Sequence, residues 1–375
     1  CHSCSRHGSR FTPGVHYIGL LGEGESSSDL YKGLGIANDL TFYRMNPHGY
    51  EHCWIGEERF DVPAGVDALE NALTTRFPHE KKGIKRYLKT VRDVSSELQL
   101  IPKINGFWDK VTIPWRTRHL GKYGLFSLKR VIGWHVTDPL LKTILNIQCG
   151  DHGLPPGQAS FPLHAAVMEH YLSGGYYPKG GGASIVNAMI KSIESDGGEV
   201  RTSQRVKRVL IEVEGESREA VGVELMDGEK IYASRVISNA DTKKTYGDLV
   251  GREFLSEKLN AKLDASKYSC TSLTLFLTVD MDVEAAGLDS GNIWLTPNRD
   301  MDEVYADMMR SDITSQEYFP GLFISCTTLK DPASFDGKHH ALEVITYINY
   351  EAFKEFEGED KKRSQKYLAF KEELM

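Results

Sequence analysis

The sequence predicts an α/β (α+β) fold, with a layout of the nucleotide-binding type into which a mixed-sheet and helical domain is inserted. Three observations lead there. Residues 184–241 read as helix, strand, antiparallel meander and strand; residues 246–375 alternate strands with short helices; and residues 20–172 are mainly helical. A chain of 375 residues is too long for one simple core, so two lobes are expected.

The helix over 184–195, "SIVNAMIKSIES", places Ile185, Met189, Ile190 and Ile193 on one stripe, and the following "DGG" supplies a left-handed stop. "RVKRVLIEV" then puts Val209, Ile211 and Val213 on one face of a strand. "AVGVEL" repeats the period with Val221, Val223 and Leu225, and Asp227-Gly228 turns the chain into "KIYA". "RVISNAD" reads as a short apolar strand ending at Asn239-Ala240-Asp241. Beyond it, "TSLTLFLTV", "GNIWLTP", "GLFISCTT" and "ALEVITYINY" read as strands of a second sheet, with a helix over "MDEVYADMMRS".

Composition is that of an ordinary globular chain, 40% hydrophobic and 26% charged. A net charge of −7 gives a general nucleic-acid role no electrostatic support. No run approaches the roughly 18 apolar residues of a spanning helix. The chain opens on Cys1 and stops at "FKEELM" inside a charged helical pattern, so both ends read as cut and targeting segments are left open. Six scattered cysteines suit a reducing intracellular compartment. Cys1 and Cys4, with His2 and His7 nearby, make a C-x-x-C that reads either as a metal or redox pair or as ordinary thiols. No second pair completes a tetrahedral set, and no metal is assigned.

Between 101 and 130, Lys103, Lys110, Arg116, Arg118, Lys122, Lys129 and Arg130 face a single acid, Asp109. Phe107, Trp108, Trp115, Tyr123 and Phe126 are interleaved with them. Rings with cations suit the headgroup layer of a bilayer. A solvated face with tucked rings, or a single-strand groove, uses the same residue types.

G-x-S-x-G, H-E-x-x-H, Walker and kinase motifs are missing. "GEGESS" at 22–27 and "GLGIAN" at 33–38 begin like dinucleotide fingerprints but lack the third glycine and read as loops. His164 and His170, six apart, lie about 240° around a helix and cannot share a metal. His16 and Tyr17, between Gly14 and Gly19, are candidates to line a site. "SGGYYPKGGG" at 173–182 sets five glycines around Tyr176, Tyr177 and Pro178, just ahead of a helix. Bare peptide, exposed amides and flat walls suit a large planar cofactor beside an apolar substrate; a tight glycine crossover between packed lobes is the alternative.

Three strings, "FTPGVHYIG", "FPLHAAVMEHYLSGGYYPKGG" and "RVISNAD", resemble the retinol saturase-like members of the FAD-dependent phytoene desaturase and carotenoid isomerase family, in order over essentially the whole chain. The resemblance implies a partial FAD-binding Rossmann-like domain with an inserted mixed-sheet and helical substrate domain, divided at 1–20 (FAD-binding), 21–182 (helical, substrate- or membrane-facing), 183–245 (FAD-binding return with meander) and 246–375 (substrate-domain sheet). It implies flavin segments both upstream and downstream of this stretch, which would make the chain an internal fragment that binds FAD weakly by itself. By matched position, Gly14, His16 and Tyr17 lie near flavin and substrate, with His16 and Tyr17 the catalytic candidates. Gly180 and Gly181 flank the flavin, Val206 meets the adenine, and Asn239-Ala240 end a strand at the cofactor crevice. The implied activity is reduction of a carbon–carbon double bond of a polyene such as all-trans-retinol, with FAD and with NAD(P)H as candidate electron donor. Isomerisation or desaturation of a carotenoid, an amine-oxidase-type reaction, and a silent lipid-binding role are the alternatives. A peripheral place on an intracellular membrane, in endoplasmic reticulum or plastid, follows from the same resemblance, and oligomeric state does not. Two departures stand out: Thr12-Pro13-Gly14 replaces an acidic Asp-Thr-Gly, removing a charge and a donor, and Lys179 stands where arginine is common.

Overall fold

A computed structural model of the chain describes residues 4–6, 9–104, 106–215, 217–358 and 364–374. Two compact units form, one from Cys1–Ser192 with Ser269–Met375, the other from Ile193–Tyr268. Cys1, His2 and His7 lie outside the described residues, so the C-x-x-C reading has no structural counterpart here.

The strands are β1 (Cys4–Arg6), β2 (Ser9–Phe11), β3 (Phe42–Arg44), β4 (Glu51–Ile55), β5 (Glu58–Val62), β6 (Tyr176–Pro178), β7 (Val206–Glu214), β8 (Ser217–Leu225), β9 (Lys230–Tyr232), β10 (Thr271–Val279), β11 (Asn292–Thr296), β12 (Leu322–Cys326) and β13 (His340–Ile348). The first unit is built on a six-stranded mixed sheet in the order β10-β13-β12-β11-β4-β5, antiparallel except where β11 runs parallel to β4. All four strands expected after residue 270 form.

The stretch 20–172 is mainly helical, as expected, and the β4–β5 hairpin is the addition that its pattern did not announce. The hairpin turn is Gly56-Glu57, with Gly56 at φ +60°, the left-handed first position that glycine takes most easily in a two-residue hairpin loop. The pair extends the sheet beyond β11 and leaves β5 as its edge strand. Their alternation is obscured because Glu51 and His52 are both buried, so polar residues stand where apolar ones are expected. The helices Lys81–Leu100, Leu128–His135 and Phe161–Tyr171 pack on one another around Tyr87, Val91, Leu128 and Phe161, and Pro139–Asn146 and Met301–Met308 lie against the sheet.

The second unit is the meander β7-β8-β9, with Asp227 accepting from the Glu229 amide at the Gly228 turn, and the helix Glu257–Ala265. "RVISNAD" forms no strand here: residues 235–240 carry no ladder, and Ile237 is 96% exposed. An apolar stretch becomes a strand only where a neighbouring edge takes its amides, and the described residues offer it none.

Candidate active site

The segment Thr12–Tyr17 lies against the sheet and borders two cavities. The Thr12 amide donates to Oε1 of Glu343 at 3.0 Å, and Nδ1 of His16 stands 3.2 Å from the other oxygen of the same carboxylate. Glu343 is fully buried at the middle of β13, cross-strand from Ser325. Beside this pair the buried Lys330 donates from Nζ to the His16 carbonyl at 2.8 Å, to Ser325 Oγ at 2.7 Å, and to Asn292 Oδ1. Burial pushes the Lys330 ammonium down to about 7, against the pull of Glu343. Further on, His170 accepts from the Gly19 amide at 2.9 Å and so anchors the end of the segment.

Tyr17 carries the second polar cluster. Its hydroxyl is 2.5 Å from Oε1 of Glu51 and 3.0 Å from Oδ2 of Asp151, and its ring stacks on Tyr171 with centroids 3.9 Å apart. Glu51 is fully buried. Asp151 faces a cavity, so solvent reaches it there while protein crowds its other sides. Removal from bulk water raises both carboxyls, and the proximity of Glu51 raises Asp151 further; the same burial, with the two acids, raises Tyr17.

The cavity on this side is about 330 Å³, bordered by His16, Tyr17, Asp151, Trp294, Phe323 and Tyr347. It continues into a narrow apolar cleft past Trp294 and Phe323, toward Met301, Tyr305 and Met308. Gly150 makes room for the Trp294 ring, which a Cβ there would meet at 2.1 Å, and its carbonyl accepts from Tyr347.

On the Thr12 side a cavity of about 350 Å³ is bordered by Thr12, Tyr177, Gly180, Gly181, Thr328 and Asp331. Tyr176–Pro178 is not a free turn but the strand β6, paired with β3 and bridged to Ile18. The glycine run has two distinct jobs. A Cβ on Gly181, at φ +67°, would fall 2.2 Å from Thr12 Oγ1, so its close neighbour on that side is the chain itself. Gly180, at φ +82°, faces open space, and its amide donates to Asp331 at 2.7 Å.

Of the residues singled out in the sequence, Gly14, His16, Tyr17, Gly180 and Gly181 come together around these two cavities. Val206, at the start of β7, and the exposed Asn239 and Ala240 belong to the other unit. His164 is buried, with Nε2 at 3.0 Å from the Leu145 carbonyl and Nδ1 at 3.4 Å from His152; burial lowers both imidazoles. Sequence reasoning missed Glu51, Asp151, Lys330, Asp331 and Glu343. For Glu343 a signal existed: "ALEVITYI" places it on the same face as Ala341, in a strand whose neighbours are apolar.

The residues around Gly180 fit the ring end of a flavin: bare glycine backbone, the hydroxyls of Thr12 and Thr328, the Tyr177 ring, and a buried Asp331 whose Oδ1 has no partner. A phosphate cradle is a different matter. At "GEGESS" the Gly22 amide is already taken by Glu25 at 2.6 Å, and "GLGIAN" merely ends the helix Ser26–Gly33.

The chain shares its fold with oxidoreductases. An oxidoreductase from Methanosarcina mazei superposes with a TM-score of 0.60 at 18% identity, over 94% of this chain and 71% of the other. A putrescine oxidase redesigned in its cofactor binding gives 0.56 at 12% identity, over 96% and 69%. By sequence the chain is similar to proteins named all-trans-retinol 13,14-reductase. It is 27% identical to the Danio rerio protein over 99% of its own length and 64% of that protein's, and 22% identical to the chloroplastic prolycopene isomerase of Daucus carota over 83% and 50%. No family model matches the chain.

Proposed function

We propose that the chain forms the substrate-binding and part of the flavin-binding region of an FAD-dependent oxidoreductase that acts on a polyene or isoprenoid lipid. The reaction put forward is reduction of a carbon–carbon double bond of all-trans-retinol. The observation that carries the reading is the pair of cavities bordered by Thr12–Tyr17, polar and glycine-lined on one side, and on the other walled by Tyr171, Trp294, Phe323 and Tyr347 and adjoining an apolar cleft. A linear polyene suits the 330 Å³ cavity, and the Trp294–Phe323–Met308 cleft beside it has few polar groups to satisfy; at about 40 Å³ that cleft must open to take the end of the chain. Flavin, when bound, supplies hydride chemistry. Thr12, Tyr177, Gly180, Gly181 and Asp331 would hold its ring end. His16 and Tyr17 orient the substrate from the shared wall, and the aromatic lining excludes water.

The lipid must be drawn from a bilayer, and the region after residue 106 supports peripheral contact with one. Trp108 is 75% exposed, Trp115 73% and Leu125 95%, among Lys and Arg residues. Among the described residues no helix is long and apolar enough to cross a membrane.

Incubating the intact enzyme, loaded with FAD and chemically reduced, with all-trans-retinol tests the proposal. A product two hydrogens heavier supports it. An isobaric product would move the assignment to isomerisation, the reading favoured by the likeness to prolycopene isomerase. A protein that never binds flavin would leave only a lipid-binding role.

A further inference from the structure

We propose that Cys149 Sγ, His152 Nε2 and His164 Nδ1 form a binding site for one zinc ion, which ties the segment Ile147–His152 to the helix Phe161–Tyr171. The inference stands apart from the proposed reaction and does not depend on which substrate the enzyme takes.

Local structure brings the three ligands together. Residues Ile147–His152 form a 3₁₀ helix, whose repeat of three sets side chains at i and i+3 one above the other. Cys149 and His152 have that spacing and so share a face. Gly153, at φ +63°, ends the helix in the left-handed conformation, and its amide donates to the Cys149 carbonyl at 3.0 Å. The chain then returns through the helix Phe161–Tyr171, which carries His164. One donor atom from each of the three residues lies within 4.8 Å of the others.

The two imidazoles are set as ligands are. His164 is fully buried, and its Nε2 lies 3.0 Å from the Leu145 carbonyl. A carbonyl only accepts, so Nε2 carries the ring proton. A second proton would leave an unpaired charge in a fully buried ring, so Nδ1 presents a lone pair. His152 turns Nε2 toward that lone pair at 3.4 Å, with the ring planes 82° apart. This is longer than the roughly 2.7–3.2 Å at which protein N–H groups ordinarily donate. Two imidazoles at neighbouring corners of a zinc tetrahedron, each about 2.0–2.1 Å from the ion, hold their nitrogens about 3.4 Å apart. The Leu145 carbonyl is then the outer partner that fixes the tautomer and direction of a ligating histidine.

The donor set selects the metal. Cys149 is buried and in no disulfide. One thiolate with two imidazoles suits Zn²⁺. Among the described residues no further His, Cys, Asp or Glu joins the group, so the fourth position falls to water, which arrives past the half-buried His152. On binding, the Cys149 S–H bond breaks, the S–Zn bond forms, and the proton leaves to solvent. Between Cys149 and His152 in the chain lie Gly150, whose carbonyl accepts from Tyr347, and Asp151, which accepts from Tyr17; both border the 330 Å³ cavity. The three ligands are not among its lining residues, so the ion holds that wall in place and does not touch what the cavity contains.

The test uses the intact, FAD-loaded enzyme carrying Cys1→Ser and Cys4→Ser, so that the other thiol pair cannot take the metal. After dialysis against a chelator, Zn²⁺ is titrated in competition with a chromophoric chelator, and Co²⁺ is added separately as a spectroscopic substitute. One Zn²⁺ should bind per chain. Co²⁺ should give the strong visible bands of a tetrahedral ion and a near-ultraviolet charge-transfer band from the thiolate. His152→Ala, the mildest change because that ring is only half-buried, should weaken Zn²⁺ binding about 100-fold or more, with near-ultraviolet circular dichroism unchanged. Cys149→Ser should remove the charge-transfer band; if that variant fails to fold, His152→Ala alone decides. In the parent protein, amide exchange over 147–153 should rise on chelation and fall again with Zn²⁺. Failure to bind Zn²⁺, equal affinity in the parent and His152→Ala, or a cobalt spectrum without the thiolate band overturns the site.

Discussion

Lys330 Nζ and the carbonyl oxygen of His16 are joined by a 2.8 Å hydrogen bond across 314 positions of chain, tying the segment between the two cavities to the buried face of the sheet. The same nitrogen holds Ser325 and Asn292, and Glu343 on the adjacent strand holds Thr12. One ammonium thus organises one wall of the site, and its surroundings are poor in water.

That placement predicts an unusual dependence of stability on pH. In the unfolded chain a lysine titrates near 10.4, and in the fold Lys330 titrates near 7. Between these values the unfolded state binds the proton and the native state does not, so this residue's contribution rises with pH across the window. Below pH 7 the full penalty of the buried charge is present. The stability difference between wild type and Lys330→Met, from denaturant melts, should therefore shift in favour of wild type from pH 7 to 10, by at most about 1.4 kcal/mol per pH unit. A difference flat with pH would mean the amine keeps its proton in the fold. At pH 7 the variant should be destabilised by about 1–3 kcal/mol, because the His16 carbonyl and Asn292 lose their donor.

Gly181 and Gly180 differ in a way that alanine can read. Both sit at positive φ, so either substitution should cost about 1 kcal/mol in backbone strain. Only Gly181→Ala also drives a methyl to 2.2 Å from Thr12 Oγ1, against 3.8 Å from Ser184 for Gly180→Ala. Overpacking of that kind adds about 1–3 kcal/mol. Thermal melts should rank Gly181→Ala below Gly180→Ala, and equal melting points would contradict the close contact.

Local chemistry explains what was legible before the structure. The helix at 182–195, the Asp227-Gly228 hairpin and the strands after 270 each carry their period and their turn residues within a dozen positions. The β4–β5 hairpin was hidden because Glu51 and His52 stand at buried positions, which the pattern of an ordinary strand forbids. Tyr17 was visible as a candidate through its glycine neighbours. Its partners were not, since Glu51 and Asp151 lie 34 and 134 positions away and meet only through the tertiary fold. "RVISNAD" shows the converse: a good strand sequence stays irregular without an edge to pair with.

In the proposed function the apolar cleft would limit the length of the polyene. Met308 is buried in its lining with Val304 and Tyr305. Met308→Ala should open the cleft, at a cost of about 2–5 kcal/mol in stability, and raise kcat/KM for polyenes longer than retinol relative to retinol itself. Competition assays with a chain-length series check this. An unchanged preference would place the polyene elsewhere.

The proposed membrane contact can be separated from folding because the residues put forward for it are already exposed. Trp108 and Trp115 lie on the helix Phe107–Arg116, and Leu125 follows shortly after, whereas Tyr123 is buried and Phe126 is half-buried with the Arg130 guanidinium 4.9 Å from its centroid. Trp108, Trp115 and Leu125 are therefore the most exposed large apolar groups among the described residues of this stretch. Replacing all three by serine removes large apolar groups each worth up to about 1.5–3 kcal/mol when fully withdrawn from water. Co-sedimentation of the intact enzyme with vesicles containing anionic lipid should fall at least about tenfold, while surface positions leave the melting point nearly unchanged. Binding should also weaken as salt rises, because cations of this stretch such as Lys122 and Arg130 would contribute through screened attraction to the headgroups. Deletion of residues 103–130 should abolish vesicle binding. Sedimentation of the triple variant equal to wild type would show that these rings serve another surface.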